Sequence, residues 1–148
     1  MEKPFVLLAD DNEATCTLVT ALLQSDFVVE VAREGGDAIE KLKRRQYAVV
    51  LLDLLMPVVD GYAVLDFMRT ERPDLLARVL VVTAALDARE MRRVSNYSVC
   101  AVVAKPFDID ALFNAVRQCA GDTGELPMRG PLISGGMLLL LAEVLKRV

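Results

Sequence analysis

Carboxylates, a hydroxyl and an ammonium group stand at the ends of short apolar runs in this sequence. They are Asp10 and Asp11, Asp53, Thr83, and Lys105. A short apolar run bounded by turn residues is typical of a strand that is buried on both faces of a parallel sheet. Ligands of such sheets bind in the crevice beyond the carboxyl ends of the strands, so these side chains are candidates for one common site.

Three aspartates in one crevice would repel one another, because like charges a few ångströms apart resist joint ionisation. A divalent cation removes that repulsion, and all-oxygen ligands favour Mg²⁺, whose waters a phosphate oxygen can replace. A carboxylate can also act as a nucleophile and accept a phosphoryl group. This chemistry predicts Asp53 as the nucleophile and Asp10 and Asp11 as metal ligands. Lys105 and Thr83 are predicted to contact the phosphoryl oxygens.

The segments between these residues alternate between strand and helix patterns. Strands are predicted at 5–9, 28–32, 49–52, 78–83 and 99–104, and helices at about 13–24, 35–45, 61–69, 87–96 and 108–119. The alternation predicts an α/β fold, a doubly wound five-stranded parallel sheet with helices on both faces. A turn at Pro73 is predicted to close the third helix. The helix at 87–96 is polar for most of its length, so we expect it to pack weakly.

The composition is that of one globular domain. The chain has 148 residues, of which 54% are hydrophobic and 26% charged, which suits a single ordinary core. Its formal net charge of -4 argues against nucleic-acid binding, which needs a clustered basic excess. The sequence contains no histidine, which excludes histidine nucleophiles, histidine metal ligands and a phosphohistidine carrier.

Two further expectations concern location and redox state. The first residues lead directly into a strand and show no secretory leader pattern, so we expect a cytoplasmic protein. Cys16, Cys100 and Cys119 are odd in number and lack metal or redox spacing. We therefore expect three reduced, mostly buried thiols without a chemical role.

The strand-end motifs resemble those of the receiver domain of bacterial two-component response regulators. The resemblance covers roughly residues 4–120, and the matching pieces are Leu8-Ala9-Asp10-Asp11-Asn12, Leu52-Asp53-Leu54-Leu55-Met56-Pro57 with Asp60-Gly61, Val82-Thr83-Ala84 and Ala104-Lys105-Pro106-Phe107. Each piece alone is a weak signal. Their order along the chain, each at a predicted strand end, makes the resemblance specific.

The resemblance implies a flavodoxin-like, CheY-like sheet with strand order 2-1-3-4-5. It implies that Asp53 accepts a phosphoryl group from a sensor histidine kinase or a phosphotransfer protein, in a self-catalysed, Mg²⁺-dependent reaction followed by slow hydrolysis, without enzymatic turnover. The implied metal ligands are Asp10, Asp11, Asp53 and the backbone carbonyl of Leu55. The implied contacts of the phosphoryl oxygens are Thr83, Lys105 and the backbone of Ala84. The bond before Pro106 is expected to be cis, which X-Pro bonds permit.

The sequence departs from the receiver pattern at three positions. Many receivers carry Tyr or Phe at a switch position three residues before the site lysine, where this sequence has Val102. Leu55 and Ala85, each two residues after a site residue, offer no polar group to orient an attacking water. We therefore expect a long-lived phospho-form. The alternative is that the side chains of Leu55 and Ala85 only pack against their neighbours and have no effect on hydrolysis.

Each site residue also has a purely structural interpretation. Asp11 could cap the first helix in addition to binding metal. Thr83 could be a β-forming residue at a strand end, and Lys105 a solvated surface charge. Asp60 and Gly61 are predicted to be turn and helix-start residues without chemistry.

The leading functional hypothesis is a phosphorylation-switched signalling receiver, in which the phosphoryl group biases a two-state equilibrium and changes partner binding. The alternative is a pseudo-receiver, a protein-interaction module that keeps the fold without phosphorylation. The complete acid set argues against this alternative, and Val102 favours it. A third class, a Mg²⁺-dependent phosphatase with an aspartyl-phosphate intermediate, would need an acid where Leu55 stands.

The C-terminal part of the sequence breaks the strand and helix alternation. A receiver domain is predicted at 1–120, a Gly- and Pro-rich linker at 121–136 and an apolar helix at 137–148. This last helix is far shorter than the ~20 residues of a membrane span. Its wide apolar stripe needs a covering surface, which could be its own receiver, a second chain or a following output domain. We favour a homodimer through this helix.

Overall fold

The computed structural model describes residues 2–84 and 86–121. Its strands are β1 (Phe5–Ala9), β2 (Val28–Ala32), β3 (Val49–Leu52), β4 (Val79–Thr83) and β5 (Ala101–Ala104). Its helices are α1 (Glu13–Leu23), α2 (Gly35–Arg44), α3 (Gly61–Glu71), α4 (Pro73–Leu76), α5 (Ala88–Ser95) and α6 (Ile109–Cys119). The strands pair in parallel in the order β2-β1-β3-β4-β5. The predicted flavodoxin-like order 2-1-3-4-5 is therefore confirmed.

Two apolar layers cover the two faces of the sheet. In β1, Leu7 and Ala9 belong to the layer that contains residues of α2, α3 and α5, while Val6 and Leu8 belong to the layer of α1 and α6. Successive residues of a strand point to opposite faces, so an apolar run is needed where both faces are covered. Every residue of β3 and β4 is buried, which explains the continuous apolar runs that the sequence shows there.

The segment after α3 differs from the prediction. Instead of a simple turn at Pro73, a short helix, α4, begins at this residue. Proline suits the first position of a helix because its φ is already helical and its missing N–H is not needed there. Leu75 and Leu76 are buried against the layer of α2 and α3, so apolar burial stabilises this extra turn of helix.

Aspartate and asparagine side chains begin several of the helices. The side chain of Asp60 accepts from the backbone N–H of Ala63 at 3.0 Å, and Asp108 caps α6, as predicted. The structural interpretation of Asp11 as the cap of α1 is wrong. Helix α1 begins one residue later than that role requires, so Asn12 is the cap and accepts from the N–H of Thr15 at 2.9 Å.

Helix α5 is weakly packed, as its polar sequence predicts. Val94 is its only buried residue, whereas Arg89, Arg92 and Arg93 are exposed. Apolar burial therefore contributes little to holding this helix on the sheet.

Two of the three cysteines are paired in a disulfide, between Cys100 and Cys119. The prediction of reduced thiols is wrong for this pair. The two residues are 19 positions apart, and only the packing of α6 beside β5 brings them together. Their spacing in the sequence therefore does not predict the disulfide. Cys16 is a free, buried thiol, as predicted.

The C-terminal predictions fall on residues that the structure does not describe. These are the linker at 121–136, of which Gly121 alone is described, the apolar helix at 137–148 and the homodimer through it. Among the described residues, no helix combines the length and the apolar character needed to cross a bilayer.

Val58, in the connection between β3 and α3, has an unfavourable backbone conformation. Its φ is 67°, in the left-handed region that β-branched residues avoid, and its side chain is 95% exposed, so no burial offsets the cost. Because asparagine tolerates this region, Val58→Asn is expected to raise the free energy of unfolding by roughly 0.5–1 kcal/mol. Urea denaturation measures the change.

Val58→Ala is the matched control, because it removes the same exposed methyl groups but lacks the side-chain amide that can hydrogen-bond to the local backbone in the left-handed region. The alanine variant should gain less than the asparagine variant. An asparagine variant that is less stable than the wild type would contradict the strain at this position.

Candidate functional site

The site is built from the ends of β1, β3 and β5, which the parallel sheet brings to the same edge. Ala9 and Leu52 are register partners of β1 and β3, so the residues that follow them, Asp10 and Asp53, stand at the same level of adjacent strands. The ladder continues beyond the strands, because the N–H of Asp53 donates to the carbonyl of Ala9 at 2.9 Å. The two carboxylates are therefore neighbours by construction of the sheet.

Lys105 reaches the same place from the end of β5. Its ammonium Nζ lies 2.6 Å from Asp10 Oδ2 and 3.1 Å from Asp53 Oδ2. The carboxylates of Asp10 and Asp53 are buried, with 1% and 6% of the residues exposed. Buried carboxylates need a charged partner, and Lys105 supplies it. The interpretation of this lysine as a solvated surface charge is therefore wrong.

The second oxygen of each buried carboxylate is held by the backbone. Asp10 Oδ1 accepts from the N–H of Asn12 at 2.8 Å, and Asp53 Oδ1 accepts from the N–H of Leu55 at 3.1 Å. Each carboxylate is thus fixed through both oxygens, one by a backbone N–H and one by Lys105. Their orientation is set by the fold.

Asp11 completes an acidic cluster at the mouth of the crevice. Carboxylate oxygens of Asp10, Asp11 and Asp53 lie within 4.8 Å of one another, and Asp11 is exposed. With Lys105, three negative groups and one positive group leave two negative charges in excess. An all-oxygen set with this excess fits a hard divalent cation such as Mg²⁺.

Burial and the ion pair act on the titration of the cluster in opposite directions. Burial raises the pKa of Asp10, and the hydrogen bonds from Lys105 and the Asn12 N–H offset only part of that rise. For Lys105, burial alone would lower the pKa, but the hydrogen bond and charge of Asp10, followed by those of Asp53, outweigh it and raise the pKa. Lys105 therefore stays charged, as its place between two carboxylates requires.

The connection between β3 and α3 is held close to the site by two glycines. A Cβ at Gly61 would lie 2.4 Å from the carbonyl oxygen of Asp53, and a Cβ at Gly35 would lie 2.3 Å from that of Val59. Their N–H groups donate to Leu54 and Val59 at 3.0 and 2.9 Å. The sequence pattern gave Gly61 no role beyond a helix start. Gly61 is needed because the backbone of Asp53 passes too close for a side chain, and no sequence pattern predicts this contact.

The structure describes all but one of the remaining predicted residues. Thr83 ends β4 and is fully buried, and Ala84 follows it and is exposed. The side chain of Leu55 is 57% exposed. The Lys105–Pro106 bond is cis. Val102 is half-buried against the layer of α2 and α3, and Ala85 is outside the described residues.

A second polar cluster joins α3 to α5, and sequence reasoning missed it. The hydroxyl of Tyr62 in α3 donates to Glu90 in α5, and the guanidinium of Arg93 lies 3.5 Å from the centre of the Tyr62 ring. Burial, followed by the hydrogen bond and charge of Glu90, raises the pKa of Tyr62. The hydroxyl therefore remains a protonated donor. Two tyrosines at separate positions give no motif from which this contact could be read.

A reciprocal contact runs from the end of α5 back to α3. The hydroxyl of Tyr97 donates to Asp66 at 2.7 Å, and Arg69 lies 4.7 Å from the Tyr97 ring centre. The rings of Tyr62 and Tyr97 are 6.3 Å apart. We call Tyr62, Glu90, Tyr97 and Asp66 the tyrosine clamp. It fastens a helix that has little apolar burial of its own.

The tyrosine clamp borders the acidic cluster. A cavity of about 500 Å³ is lined by residues of both, including Asp11, Leu55, Tyr62 and Glu90. The exposed mouth of the site therefore opens onto the α3–α5 contact.

The family profile described as the response regulator receiver domain matches residues 6–117. This chain belongs to that family. The match covers the five strands except for Phe5 and nearly all of α6, and it includes every residue of the acidic cluster. The resemblance inferred from the strand-end motifs is confirmed.

Solved structures of receiver domains share the fold of this one. The receiver domain of the Francisella response regulator 1452 is 24% identical with a TM-score of 0.73, over 82% of this chain and 99% of that one. A CheY-like receiver protein from Methanospirillum hungatei JF-1 is 20% identical with a TM-score of 0.75, over 82% and 96%.

A third relative was solved with a metal ion. The receiver domain of the sensor histidine kinase PA1611 from Pseudomonas aeruginosa PAO1 is 24% identical with a TM-score of 0.73, over 81% of this chain and 99% of that one, and it has a magnesium ion coordinated in its active-site cleft. At these identities, the three structures establish the fold of the present receiver domain.

The ion pairs of Lys105 predict a large loss of stability in Lys105→Met. The variant leaves two buried carboxylates without a charged partner, so the free energy of unfolding should fall by roughly 3 kcal/mol in buffer containing EDTA. Lys41→Met is the matched control, because Lys41 pairs with Asp37 one turn away on a partly exposed side of α2. It should cost about 0.3–0.5 kcal/mol. Equal losses in the two variants would contradict the buried bridge.

The tyrosine clamp predicts that Tyr62→Phe loosens α5. Loss of a hydrogen bond to a carboxylate should cost about 1–2 kcal/mol, and amide hydrogen exchange in α5 should accelerate more than exchange in β1 or β3. Tyr47→Phe is the control, because it removes a similar bond, to Glu30, away from α5. If both variants change α5 exchange equally, the clamp does not hold this helix.

Proposed function

We propose that this receiver domain accepts a phosphoryl group on Asp53 from a sensor histidine kinase or a phosphotransfer protein, and that the modification changes its binding to a partner. The observation that carries the proposal is the buried carboxylate of Asp53, fixed by Lys105 and the Leu55 N–H beside two further acids. A carboxylate oriented in this way is suited to nucleophilic attack.

In the proposed reaction a carboxylate oxygen of Asp53 attacks phosphorus. A P–O bond forms, the P–N bond of the donor phosphohistidine breaks, and the imidazole nitrogen leaves with the electron pair. The ammonium group of Lys105, already between Asp10 and Asp53, is placed to neutralise an oxygen of the transferred group. The hydroxyl of Thr83 and the backbone N–H of Ala84, at the adjacent end of β4, are proposed to donate to the other oxygens.

The acidic cluster is proposed to bind Mg²⁺ during this transfer. Asp10, Asp11, Asp53 and the backbone carbonyl of Leu55 would hold the ion. Oxygens within 4.8 Å of one another and the excess of two negative charges support this ligand set. When bound, the ion supplies positive charge that offsets the charge of the phosphoryl group. Asp11, as the exposed member, keeps the set open toward an incoming donor.

We propose α5 as the element that reports phosphorylation. Val102 leaves no ring at the usual switch position, whereas the tyrosine clamp borders the same cavity as Asp11 and Leu55. A helix held mainly by polar contacts can be displaced at low cost. Its exposed arginines then give a partner a surface whose position depends on the state of the site.

Two other functions fit the site less well. A pseudo-receiver has no need of a buried Asp53 fixed through both carboxylate oxygens by Leu55 and Lys105. A phosphatase with substrate turnover would need an acid near the nucleophile, and the side chain at that position is the apolar Leu55. We therefore propose self-catalysed transfer followed by slow hydrolysis, in a protein of the cytoplasm, where kinases draw on ATP.

The proposal predicts that acetyl phosphate and Mg²⁺ add one phosphoryl group, measured by intact mass. EDTA should stop the addition, and Asp53→Asn should abolish it, because no carboxylate remains to attack. Asp60→Asn is the matched control, since Asp60 lies in the same connection but serves as the cap of α3, and it should be phosphorylated normally. Unchanged incorporation in Asp53→Asn, or none in the wild type, would refute the assignment.

The exposed side chain of Leu55 predicts a long-lived phospho-form. The apolar leucine side chain cannot orient an attacking water, whereas an asparagine side chain can. Leu55→Asn should therefore shorten the half-life of the phosphorylated protein by a factor of roughly 10. The decay is followed by intact mass after removal of the phosphodonor. Leu55→Val serves as the control, since it keeps an apolar group there. An asparagine variant with an unchanged or longer half-life would show that this position does not govern hydrolysis.

A further inference from the structure

The Cys100–Cys119 pair joins two elements at the outer edge of the sheet. Cys100 is half-buried and directly precedes β5, and Cys119 is buried and ends α6. Their Cα atoms are 5.7 Å apart, within the range that a disulfide requires. The backbone therefore holds the two sulfurs within bonding reach.

The bond closes a ring that carries part of the site. Residues 100–119 contain β5, Lys105, Pro106 and α6. Among the strands that the structure describes, β5 lies at the edge of the sheet and pairs only with β4, and none of its residues Ala101–Ala104 is fully buried. Apolar burial by the strand itself is thus modest, and the covalent tie adds to the buried residues of α6 in holding this edge.

We propose that Cys100 and Cys119 are a reversible oxidation site, at which a low-molecular-weight disulfide closes the bond that fastens α6 to β5 and a thiol opens it. The state of this bond sets how firmly the segment between the two cysteines, with Lys105 in it, is held. The inference does not depend on phosphorylation of Asp53.

The exchange balances in two steps. The thiolate of Cys100 attacks one sulfur of the small disulfide RSSR, which forms a mixed disulfide and releases one RSH. The sulfur of Cys119 then displaces the second RSH and forms the intramolecular bond. Two electrons pass from the protein sulfurs to RSSR, and the two thiol protons end on the two RSH molecules. A small thiol reverses both steps.

The relative burial of the three sulfurs determines which of them reacts. Cys100 is partly exposed and therefore accessible to a small disulfide, and Cys119 lies beside it to resolve the mixed disulfide. Cys16 is buried, and its thiol donates to the carbonyl of Asp10 at 3.2 Å. A thiol buried in this way is out of reach of a small disulfide, so Cys16 should remain unmodified and serves as an internal control.

The first test equilibrates the full chain with glutathione disulfide and, separately, with glutathione. The thiols are then counted by alkylation in denaturant and mass spectrometry. The sequence has three cysteines, so the expected counts are one thiol after oxidation, on Cys16, and three after reduction. Three thiols after oxidation, or glutathione left on either partner, would overturn the proposal.

The second test measures what the bond does. Oxidised protein should need more urea to unfold, with the unfolding equilibrium constant lowered on the order of a hundredfold for a loop of this length. Hydrogen exchange should slow in β5 and α6 more than in β2, which lies at the opposite edge. If the oxidised and reduced proteins unfold at the same urea concentration and exchange amide hydrogens at the same rates, the bond does not stabilise this segment, and the proposal is overturned.

Cys100→Ser separates the bond from a general effect of the reagents. The variant keeps a side chain of similar size but cannot form the pair, so it should match the reduced wild type under both conditions. A variant that still gains stability with glutathione disulfide would overturn the assignment to this pair. Cys119→Ala, which removes the other sulfur, repeats the comparison in case serine disturbs the start of β5.

Discussion

The ammonium group of Lys105 holds the ends of three strands together, and the rest of the site depends on it. Its partners Asp10 and Asp53 are 95 and 52 residues away in sequence, so the interaction exists only once β1, β3 and β5 share one sheet. Two carboxylates buried side by side would destabilise the fold without this charge. The same arrangement leaves Asp53 fixed through both oxygens. The constraint that stabilises the acids also orients the carboxylate that we propose as the nucleophile.

Elements with different strengths of attachment surround this rigid centre. The connection after Asp53 packs closely against the backbone of Gly35 and Gly61, and a side chain at either glycine would clash with it. In contrast, α5 buries one residue of its own and depends on the tyrosine clamp. The β5–α6 segment lies at the sheet edge and is tied by a disulfide. Parts of a protein that move are drawn from its least stable elements, so polar and covalent ties of this kind are suited to control.

Much of the fold and part of the site follow from local patterns. Fully buried strands require apolar runs on both faces, so the apolar runs alone locate β1, β3 and β4. The polar sequence of α5 indicates its weak packing, and Asp60 and Asp108 identify two helix starts. Strand ends in a parallel sheet meet at one edge, so the charges of Asp10, Asp53 and Lys105 point to one crevice. Each of these conclusions uses neighbours in sequence or a general rule of sheet geometry.

What the sequence determined by itself is therefore the succession of strands and helices, apart from the short helix α4, and the residue types at the strand ends, because these depend on periodicity and local propensity. Only the tertiary structure decided that Asn12 caps α1 in place of Asp11, that Cys100 meets Cys119, that Gly61 passes against Asp53, and that two tyrosines join α3 to α5. Each of these depends on a distance of a few ångströms between atoms, and most on groups far apart in the chain. Such distances are set by the packing of whole helices and strands, and the spacing of residues along the chain does not predict them.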